Sequence, residues 1–334
     1  MRAERNARLV AVVVTYNRLD QLRETVTRLL ASPPEHLAAL VVVDNASRAE
    51  TGDWLAAQGD PRLVVERLEQ NSGGAGGFEA GMRLAMARLE PDWIVVMDDD
   101  ARPAEGALAA FHADLPPEDT GSAAAVYFPD GRICEMNRPS RNPFWDGRLF
   151  ARTLVKWRNG YHIDYADYDA KTPRPIDLTS FVGLFLSRAM VQEAGFPEAK
   201  LFLYGDDVIY TLRLRRRGWK LQFDPRVRFE HDCSTFENDQ KRVFSPLWKV
   251  YYTYRNGLIM YRTASGLFFW PLLVLLAVKW WLAAGRYGAQ RARYLRLYRL
   301  ALRDAVLSHI EREHGEILAL AGEAENGQNA PVRA

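Results

Sequence analysis

Four short valine-rich runs within the first hundred residues restrict the fold more than any other feature of the chain. They are Leu9–Val14, Leu37–Asp44, Arg62–Leu68 and Asp92–Asp100. Short, continuously apolar runs are typical of strands buried in a parallel sheet. Segments with apolar residues at helical spacing lie between these runs, as Leu19–Leu30 does between the first two. This alternation predicts an α/β fold with a mostly parallel sheet flanked by helices.

Each valine-rich run ends on polar residues or glycines. In parallel sheets, ligands bind beyond the carboxyl ends of the strands. We therefore expect a binding site where the four endings converge, at "VTYNR", "VDNAS", "EQNSGG" and "MDDDA".

Composition limits the partners. The 334 residues carry a formal net charge of +2, which does not favour nucleic acid as a partner. The two cysteines, Cys134 and Cys233, are far apart and lack CxxC spacing, so they suggest a reducing compartment and no zinc site. The N-terminal residues do not have the pattern of a secretory signal, and a cytoplasmic location is expected.

Regular patterns divide the chain into segments. Residues 1–240 form the predicted α/β domain, in which residues 129–175 mix prolines, aromatics and charges. We interpret this segment as a loop-rich insertion that acts as a lid, because long insertions are more often functional than structural. Residues 241–320 are predicted to form a helical C-terminal extension, and residues 321–334 a flexible tail.

Asp98, Asp99 and Asp100 are consecutive at the end of the fourth run. Adjacent carboxylates repel one another, and a bound cation offsets that cost. Since side chains alternate along a strand, Asp98 and Asp100 are expected to face one cleft, with Asp99 turned away. The alternative is a solvated turn in which one aspartate caps the next helix.

A second acidic pair, Asp206 and Asp207, opens a predicted helix in "FLYGDDVIYTLRLRRRGW". Acids in this position satisfy free amides and complement the helix dipole, so capping is one interpretation. A carboxylate there can also act as a general base toward a sugar hydroxyl. His231, at the end of "VRFEH", is either a structural hydrogen-bonding group or, with two carboxylates nearby, a third ligand for manganese.

The glycine-rich stretch "NSGGAGGFEAGMRLA" spans Asn71–Ala85. It lacks the Lys-Ser/Thr that ends a P-loop, and it does not match G-x-G-x-x-G. A nucleotide triphosphatase or a dinucleotide site is therefore disfavoured. The stretch predicts a loop whose backbone something approaches closely, followed by a helix over Phe78–Leu89.

Five of these motifs, taken in order, resemble family 2 glycosyltransferases with the GT-A fold, and the resemblance covers Leu9 to Asp232. They are "VVVTYNR", "VVVDNAS", "NSGGAGG", "MDDDA" and "YGDDVIYTLRLRRRGW". Within the family, the glycine stretch, the "GDD" pair and "YYTYRNG" (Tyr251–Gly257) are most similar to bacterial galactofuranosyltransferases, which add galactofuranose to lipid-linked glycans.

The resemblance implies an inverting enzyme that uses Mn²⁺ or Mg²⁺ and transfers galactofuranose from UDP-galactofuranose to a lipid-linked or polysaccharide glycan. Asp98 and Asp100 would flank the ion, and His231 would complete its shell. Asp207 would be the general base. Asp206 would either act as the base in its place or orient the acceptor. Most members of the family carry Glu-Asp here, so the Asp-Asp pair is a departure. The donor-binding residues would be Thr15, Asn17, Asp44, Asn71, Gly74, Gly76 and Asp99.

Other functions remain open on the sequence. The donor could be dTDP-rhamnose or another UDP-sugar, which would make the protein a rhamnosyltransferase or a related transferase. A non-catalytic glycan- or lipid-binding scaffold would keep the same fold, although it would have no need of both intact acidic clusters. A nucleotidyltransferase shares the α/β layout and the metal.

The C-terminal extension contains an 18-residue apolar run, Leu267–Ala284, directly before six arginines between Arg286 and Arg303. Its length is at the lower limit for a membrane span, and its tryptophans suit an interface. We expect peripheral association with the anionic inner face of the cell membrane, where an acceptor carried on a polyprenyl diphosphate would lie. The alternative is a buried helix or an oligomer contact.

Overall fold

The structure is a computed structural model that describes residues 7–233 and 243–323. Within these residues, one mixed sheet contains nine strands: β1 Leu9–Thr15, β2 Ala39–Asp44, β3 Leu63–Arg67, β4 Trp93–Asp98, β5 Ala101–Pro103, β6 Thr120–Tyr127, β7 Arg174–Ile176, β8 Leu184–Ser187 and β9 Lys220–His231. The order across the sheet is β3-β2-β1-β4-β8-β6-β9-β5, and β7 pairs with β9.

The four valine-rich runs form the parallel half of this sheet. Strands β3, β2, β1 and β4 are all parallel, whereas β8 runs antiparallel to β4. Thr15 pairs with Asp44 and Val14 with Asp98, so these strands end together. The predicted mostly parallel α/β sheet is confirmed, and its carboxyl edge carries the expected polar endings.

Helices cover both faces of the sheet and form the C-terminal extension. Val12 of β1 belongs to the core on one face with Met82, and Val13 belongs to the core on the other face with Leu22. The helices are α1 Leu19–Leu30, α2 Ala49–Ala56, α3 Gly73–Arg88, α4 Ala107–Ala113, α5 Gly147–Lys156, α6 Arg158–Tyr161, α7 Arg188–Ala194, α8 Asp206–Arg216, α9 Lys249–Ser265, α10 Phe269–Ala283, α11 Arg291–Leu307 and α12 His314–Ala321.

The glycine-rich stretch is a helix and not a loop, so the expected start at Phe78 is wrong. Helix α3 begins at Gly73. A Cβ on Gly77 would lie 2.4 Å from Val14 Cγ1, and one on Gly81 would lie 2.5 Å from Val12 Cγ1. These glycines therefore allow α3 to pack closely on the sheet, and this packing outweighs the poor helix propensity of glycine.

Other segments differ from the expectations or add to them. Strand β9 runs without interruption over Lys220–His231, and its pairing with β6 shifts register at one irregularity. Strand β4 ends at Asp98, and the next two aspartates form a turn. The insertion at residues 129–175 contains α5 and α6 in addition to loops. Of the predicted flexible tail, residues 324–334 lie outside the described part of the chain.

Candidate active site

A cavity of about 400 Å³ opens at the carboxyl edge of the sheet. The ends of β1 and β4, the start of α3 and the start of α8 surround it. Nine of the residues singled out in the sequence line it: Thr15, Asn71, Gly74, Asp98, Asp99, Asp100, Asp206, Asp207 and His231.

The three predicted metal ligands lie together in this cavity. One ligand atom each from Asp98, Asp100 and His231 lies within 4.8 Å of the other two. His231 comes into place because Ala101, just after the acidic turn, pairs with it across β5 and β9. Asp99 and Asp100 are buried, which excludes the solvated turn. Two carboxylates and an imidazole are a donor set that suits Mn²⁺, so these residues fit the divalent ion of the family.

Asp99 is not turned away from the cavity, contrary to the strand argument, because it lies in a turn. Thr15 Oγ1 donates to Asp99 Oδ2 at 2.7 Å. Arg18 contacts two of the acids, with Nη1 3.3 Å from Asp99 Oδ1 and Nη2 2.7 Å from Asp100 Oδ2. Arg18 was missed in the sequence, although its position in "VTYNR" at the end of β1 placed a cation at this edge.

Burial and neighbouring charges shift the pKa values of two of the proposed metal ligands. Burial and the neighbouring Asp100 raise the pKa of Asp98 to about 7. Burial alone would lower the pKa of His231, but the hydrogen bond from its Nε2 to Asp100 Oδ1, at 3.1 Å, contributes to raising that pKa to about 10. Binding of a divalent ion must therefore displace protons from this site.

Asp206 and Asp207 begin α8 as predicted, facing the same cavity. Gly205, with φ of 77°, precedes them and turns the chain into the helix. Burial raises the pKa of Asp207 to about 6. Burial, followed by the charge of Asp207, raises the pKa of Asp206 well above its usual value. The charge of Asp207 thus favours the protonated form of Asp206. The N-cap position is held by Gly205, and Asp207 Oδ1 satisfies one amide of the first turn by accepting from Val208 N at 2.7 Å.

Two buried side chains of α9 hold the loop that leads to these aspartates. Arg255 Nη2 donates to the carbonyl oxygens of Lys200 and Leu201, both at 3.0 Å. Asn256 Nδ2 donates to Tyr204 O at 2.9 Å. Phe202 and Tyr204 have positive φ values, so this loop is strained and needs such support. Arg255 and Asn256 both lie in "YYTYRNG", a stretch that carried the resemblance to galactofuranosyltransferases but had no predicted function.

Three predicted donor-binding residues do not line the cavity. Asn17 accepts from the Arg48 amide through Oδ1. Asp44 is fully buried, and its Oδ2 lies 3.1 Å from Arg67 Nη1. A Cβ on Gly76 would meet Ser72 and not the cavity. The cavity wall therefore gives no direct support to the donor-binding roles expected for Asn17, Asp44 and Gly76, and these roles stay predictions.

The two cysteines are close in space although they are far apart in sequence. Cys134 Sγ and Cys233 Sγ are 4.0 Å apart, and both residues are buried. Together with His231 they form a group whose ligand atoms all lie within 4.8 Å of one another. Sequence spacing did not reveal that the two cysteines lie beside His231, and the expected absence of a zinc site stays a prediction.

Helix α10 presents a broad apolar face to solvent. Six of its side chains leave more than half of their surface exposed: Trp270, Val274, Leu275, Val278, Trp281 and Leu282. The other side of the helix packs on the bundle, where Trp280 stacks on Tyr254 with ring centroids 4.0 Å apart. All six arginines between Arg286 and Arg303 are exposed. The alternative of a fully buried helix is thus wrong.

One helical stretch within Lys249–Leu307 is long and apolar enough to cross a membrane by length and composition. Helix α10 itself has 15 residues. At about 1.5 Å per residue it is about 22 Å long, whereas a hydrocarbon core is about 30 Å thick.

Comparisons with known proteins supply a family. The profile described as Glycosyl transferase family 2 matches residues 10–169. A galactofuranosyltransferase of Mycolicibacterium smegmatis is 28% identical over 319 residues, which cover 88% of this chain and 96% of that protein. An undecaprenyl-phosphate mannosyltransferase of Micrococcus luteus is 30% identical over 176 residues, which cover 51% of this chain and 70% of that protein.

Among solved structures, a mannosyltransferase of Pyrobaculum calidifontis in complex with GDP-Man and Mn²⁺ is similar in fold. The TM-score is 0.51 at 16% identity, and the match covers 91% of this chain and 87% of that chain. Together, the sheet and this likeness define the GT-A fold, and the family profile and the relatives define the chain as a glycosyltransferase. The chain belongs to glycosyl transferase family 2, and it is related to galactofuranosyltransferases. The suspected resemblance is confirmed, and the non-catalytic scaffold and the nucleotidyltransferase are set aside.

Proposed function

We propose that this chain is an inverting, metal-dependent galactofuranosyltransferase that uses UDP-galactofuranose and extends a lipid-linked glycan at the cytoplasmic face of the membrane. The observation that carries this proposal is one cavity in which Asp98, Asp100 and His231 share the space with Asp206 and Asp207. A cation site and a base in one cavity are what transfer from a nucleotide sugar to a hydroxyl requires.

The acidic turn is proposed to hold the donor diphosphate through Mn²⁺ or Mg²⁺. Asp98, Asp100 and His231 would hold the ion, which neutralises the charge that develops on the leaving nucleoside diphosphate. Arg18 fixes Asp99 and Asp100 in place through its two contacts. Thr15, Asn71, Gly74 and Asp99 remain the predicted donor contacts that line the cavity.

Asp207 is proposed as the general base. It would accept the proton of the acceptor hydroxyl while the oxygen forms a bond to the anomeric carbon and the bond from that carbon to the diphosphate breaks. A single displacement of this kind inverts the anomeric configuration. Asp207 suits this role because its carboxylate is charged above about pH 6, whereas burial and the charge of Asp207 raise the pKa of Asp206 well above its usual value and favour a protonated carboxyl that can donate to the acceptor.

The choice of donor and acceptor follows the relatives. The Mycolicibacterium protein is a galactofuranosyltransferase by name, and it aligns along nearly its whole length. The Micrococcus relative is named for undecaprenyl phosphate, which supports a polyprenyl-linked acceptor. The insertion at residues 129–175 contributes Met136 and Asn137 to the cavity wall, which supports its proposed role as a lid over donor or acceptor.

The helical region at residues 241–320 is proposed to rest on the membrane surface without crossing it. An apolar face followed directly by exposed arginines suits the boundary between acyl chains and anionic headgroups. Phe150 of α5 stacks on Phe268, with centroids 6.0 Å apart. Leu154, Val155 and Trp157, at the end of the same helix, are exposed, and they are proposed to extend this apolar surface.

The test is a donor comparison with a synthetic polyprenyl-diphosphate-linked glycan as the acceptor. UDP-galactofuranose, UDP-galactopyranose, dTDP-rhamnose and GDP-mannose are each supplied with Mn²⁺, and the products are analysed by mass spectrometry and by the anomeric coupling in NMR spectra. We expect transfer from UDP-galactofuranose with inversion. Efficient transfer from one of the other donors alone would replace the proposed sugar, and retention would remove the single-displacement mechanism.

A further inference from the structure

Cys134, Cys233 and His231 form a cluster that the proposed transfer reaction does not use. Cys134 precedes the short 3₁₀ turn Glu135–Asn137, and Cys233 follows the end of β9. One ligand atom from each of the three residues lies within 4.8 Å of the others, and all three side chains are buried. Cys134 and Cys233 are the only two cysteines of the sequence. His231 also belongs to the group formed with Asp98 and Asp100.

The distance between the two sulfurs matches a shared metal ion better than a disulfide. Two thiolates bound at about 2.3 Å to a tetrahedral ion lie about 3.8 Å apart, close to the 4.0 Å between Cys134 Sγ and Cys233 Sγ. A disulfide, at about 2.05 Å, would require the sulfurs to approach by about 2 Å. The thioether of Met136 lies 3.4 Å from Cys233 Sγ and adds a further soft donor.

We propose that Cys134, Cys233 and His231 form a second metal site, selective for a thiophilic ion such as Zn²⁺, which competes with the carboxylate site for the His231 ring. Thiolates select zinc, whereas the carboxylates Asp98 and Asp100 suit Mn²⁺ and Mg²⁺. On binding, the two thiols lose their protons to solvent and become ligands. Met136 or a water molecule supplies the fourth position.

A functional consequence follows, and it rests on the proposed function. His231 faces Asp100 with Nε2 and Asn137 with Nδ1. A neutral imidazole has only one unprotonated nitrogen, so a ring that binds zinc beside the two thiolates cannot also bind the donor's metal. Zinc then inhibits transfer even though the carboxylate site is intact. The enzyme would transfer sugar with Mn²⁺ or Mg²⁺ and would be inhibited by Zn²⁺.

Metal binding is tested first on the full-length chain without any substrate. Protein freed of metals is titrated with Co²⁺, whose thiolate complexes absorb in the near ultraviolet, and then with Zn²⁺, with bound metal measured by mass spectrometry. We expect a thiolate-to-cobalt band that Zn²⁺ abolishes at one equivalent, and its loss in Cys134→Ser and in Cys233→Ser. Thermal melts establish that each variant is folded. Absence of the band in folded wild-type protein would overturn the proposal.

Inhibition is tested separately in the transfer assay with Mn²⁺. Cys134→Ser and Cys233→Ser are expected to keep their Mn²⁺-supported activity and to require at least about tenfold more Zn²⁺ for half inhibition, a difference of about 1.4 kcal/mol. Equal zinc sensitivity in wild type and both variants would refute the competition. The cobalt band does not depend on turnover, so its presence in a protein that transfers no sugar would contradict the proposed function and leave the metal site standing.

Discussion

Asn256 Nδ2 donates to the carbonyl oxygen of Tyr204 at 2.9 Å, two residues before the acidic pair that begins α8. The same amide also donates to Leu203 O at 2.8 Å. Asn256 is fully buried on α9, in the C-terminal extension. The extension therefore fixes the position of the proposed base in the α/β domain, besides providing the apolar outer surface.

Replacing Asn256 by Ala is expected to lower kcat by about tenfold to a hundredfold while donor affinity changes little. The buried carbonyls would lose their donors, at a cost of about 1–3 kcal/mol, and a small displacement of the base is enough to slow the reaction. Kinetics and binding of UDP by calorimetry measure the two effects. Thr263→Ala on the same helix is the matched control, because that hydroxyl bonds only to the carbonyl of Ile259 in its own helix. An equal loss in both variants would contradict a positioning role for Asn256.

Asp207→Asn is expected to reduce kcat by about 10²-fold to 10⁴-fold, the usual contribution of a general base. The fold should remain at least as stable. A carboxylate whose pKa is raised to about 6 on folding destabilises the native state above that pH, because the native state binds the proton more tightly. Thermal melts at pH 7.5 therefore separate lost chemistry from lost structure. Near-normal turnover in this variant would remove Asp207 from its role.

The activity of the wild type is expected to fall as the pH drops below about 6. Protonation of Asp207 removes the base, and its pKa of about 6 sets the midpoint. A profile of kcat against pH between about 4 and 8, about two units either side of the midpoint, checks this. A flat profile across pH 6 would mean that another group, or a step other than chemistry, limits the rate.

Removal of divalent ions with EDTA is expected to stop transfer, and Mn²⁺ or Mg²⁺ should restore it. The affinity for the metal should increase with pH, because His231 and Asp98 hold protons that the ion must displace. Calorimetric titration of Mn²⁺ in buffers of different ionisation enthalpy counts the protons released. Full activity in EDTA would mean that Asp98, Asp100 and His231 serve another purpose.

Val274→Glu, Leu275→Glu and Trp281→Glu, combined in one protein, are expected to weaken binding to anionic liposomes by at least about tenfold, since each buried apolar side chain contributes about 1.5–3 kcal/mol. Flotation measures the bound fraction. The control combines Val65→Glu and Leu115→Glu, which alter exposed apolar residues of the α/β domain. Undiminished flotation of the α10 variant would show that this face meets something other than a bilayer.

The periodicity of the sequence was enough to predict the parallel half of the sheet, and with it the shared edge of Thr15, Asp44 and Asp98. Strand patterns are local, because a continuous apolar run rich in valine reflects burial of the strand on both faces. The family motifs added the acids, His231 and the proposed base. The helical glycine stretch was not predictable, because Gly77 and Gly81 make sense only against the valines of the sheet beneath them.

The remaining features depend on contacts between residues distant in sequence. Arg18 is a neighbour of Asp100 only because β1 and β4 end side by side. Cys134 and Cys233 meet because β9 returns beside the insertion, 99 positions further along the chain. The sequence by itself determined the fold class and the chemical groups available. Only the tertiary structure decided which of them share a cavity, since burial and charge act through space and not along the chain.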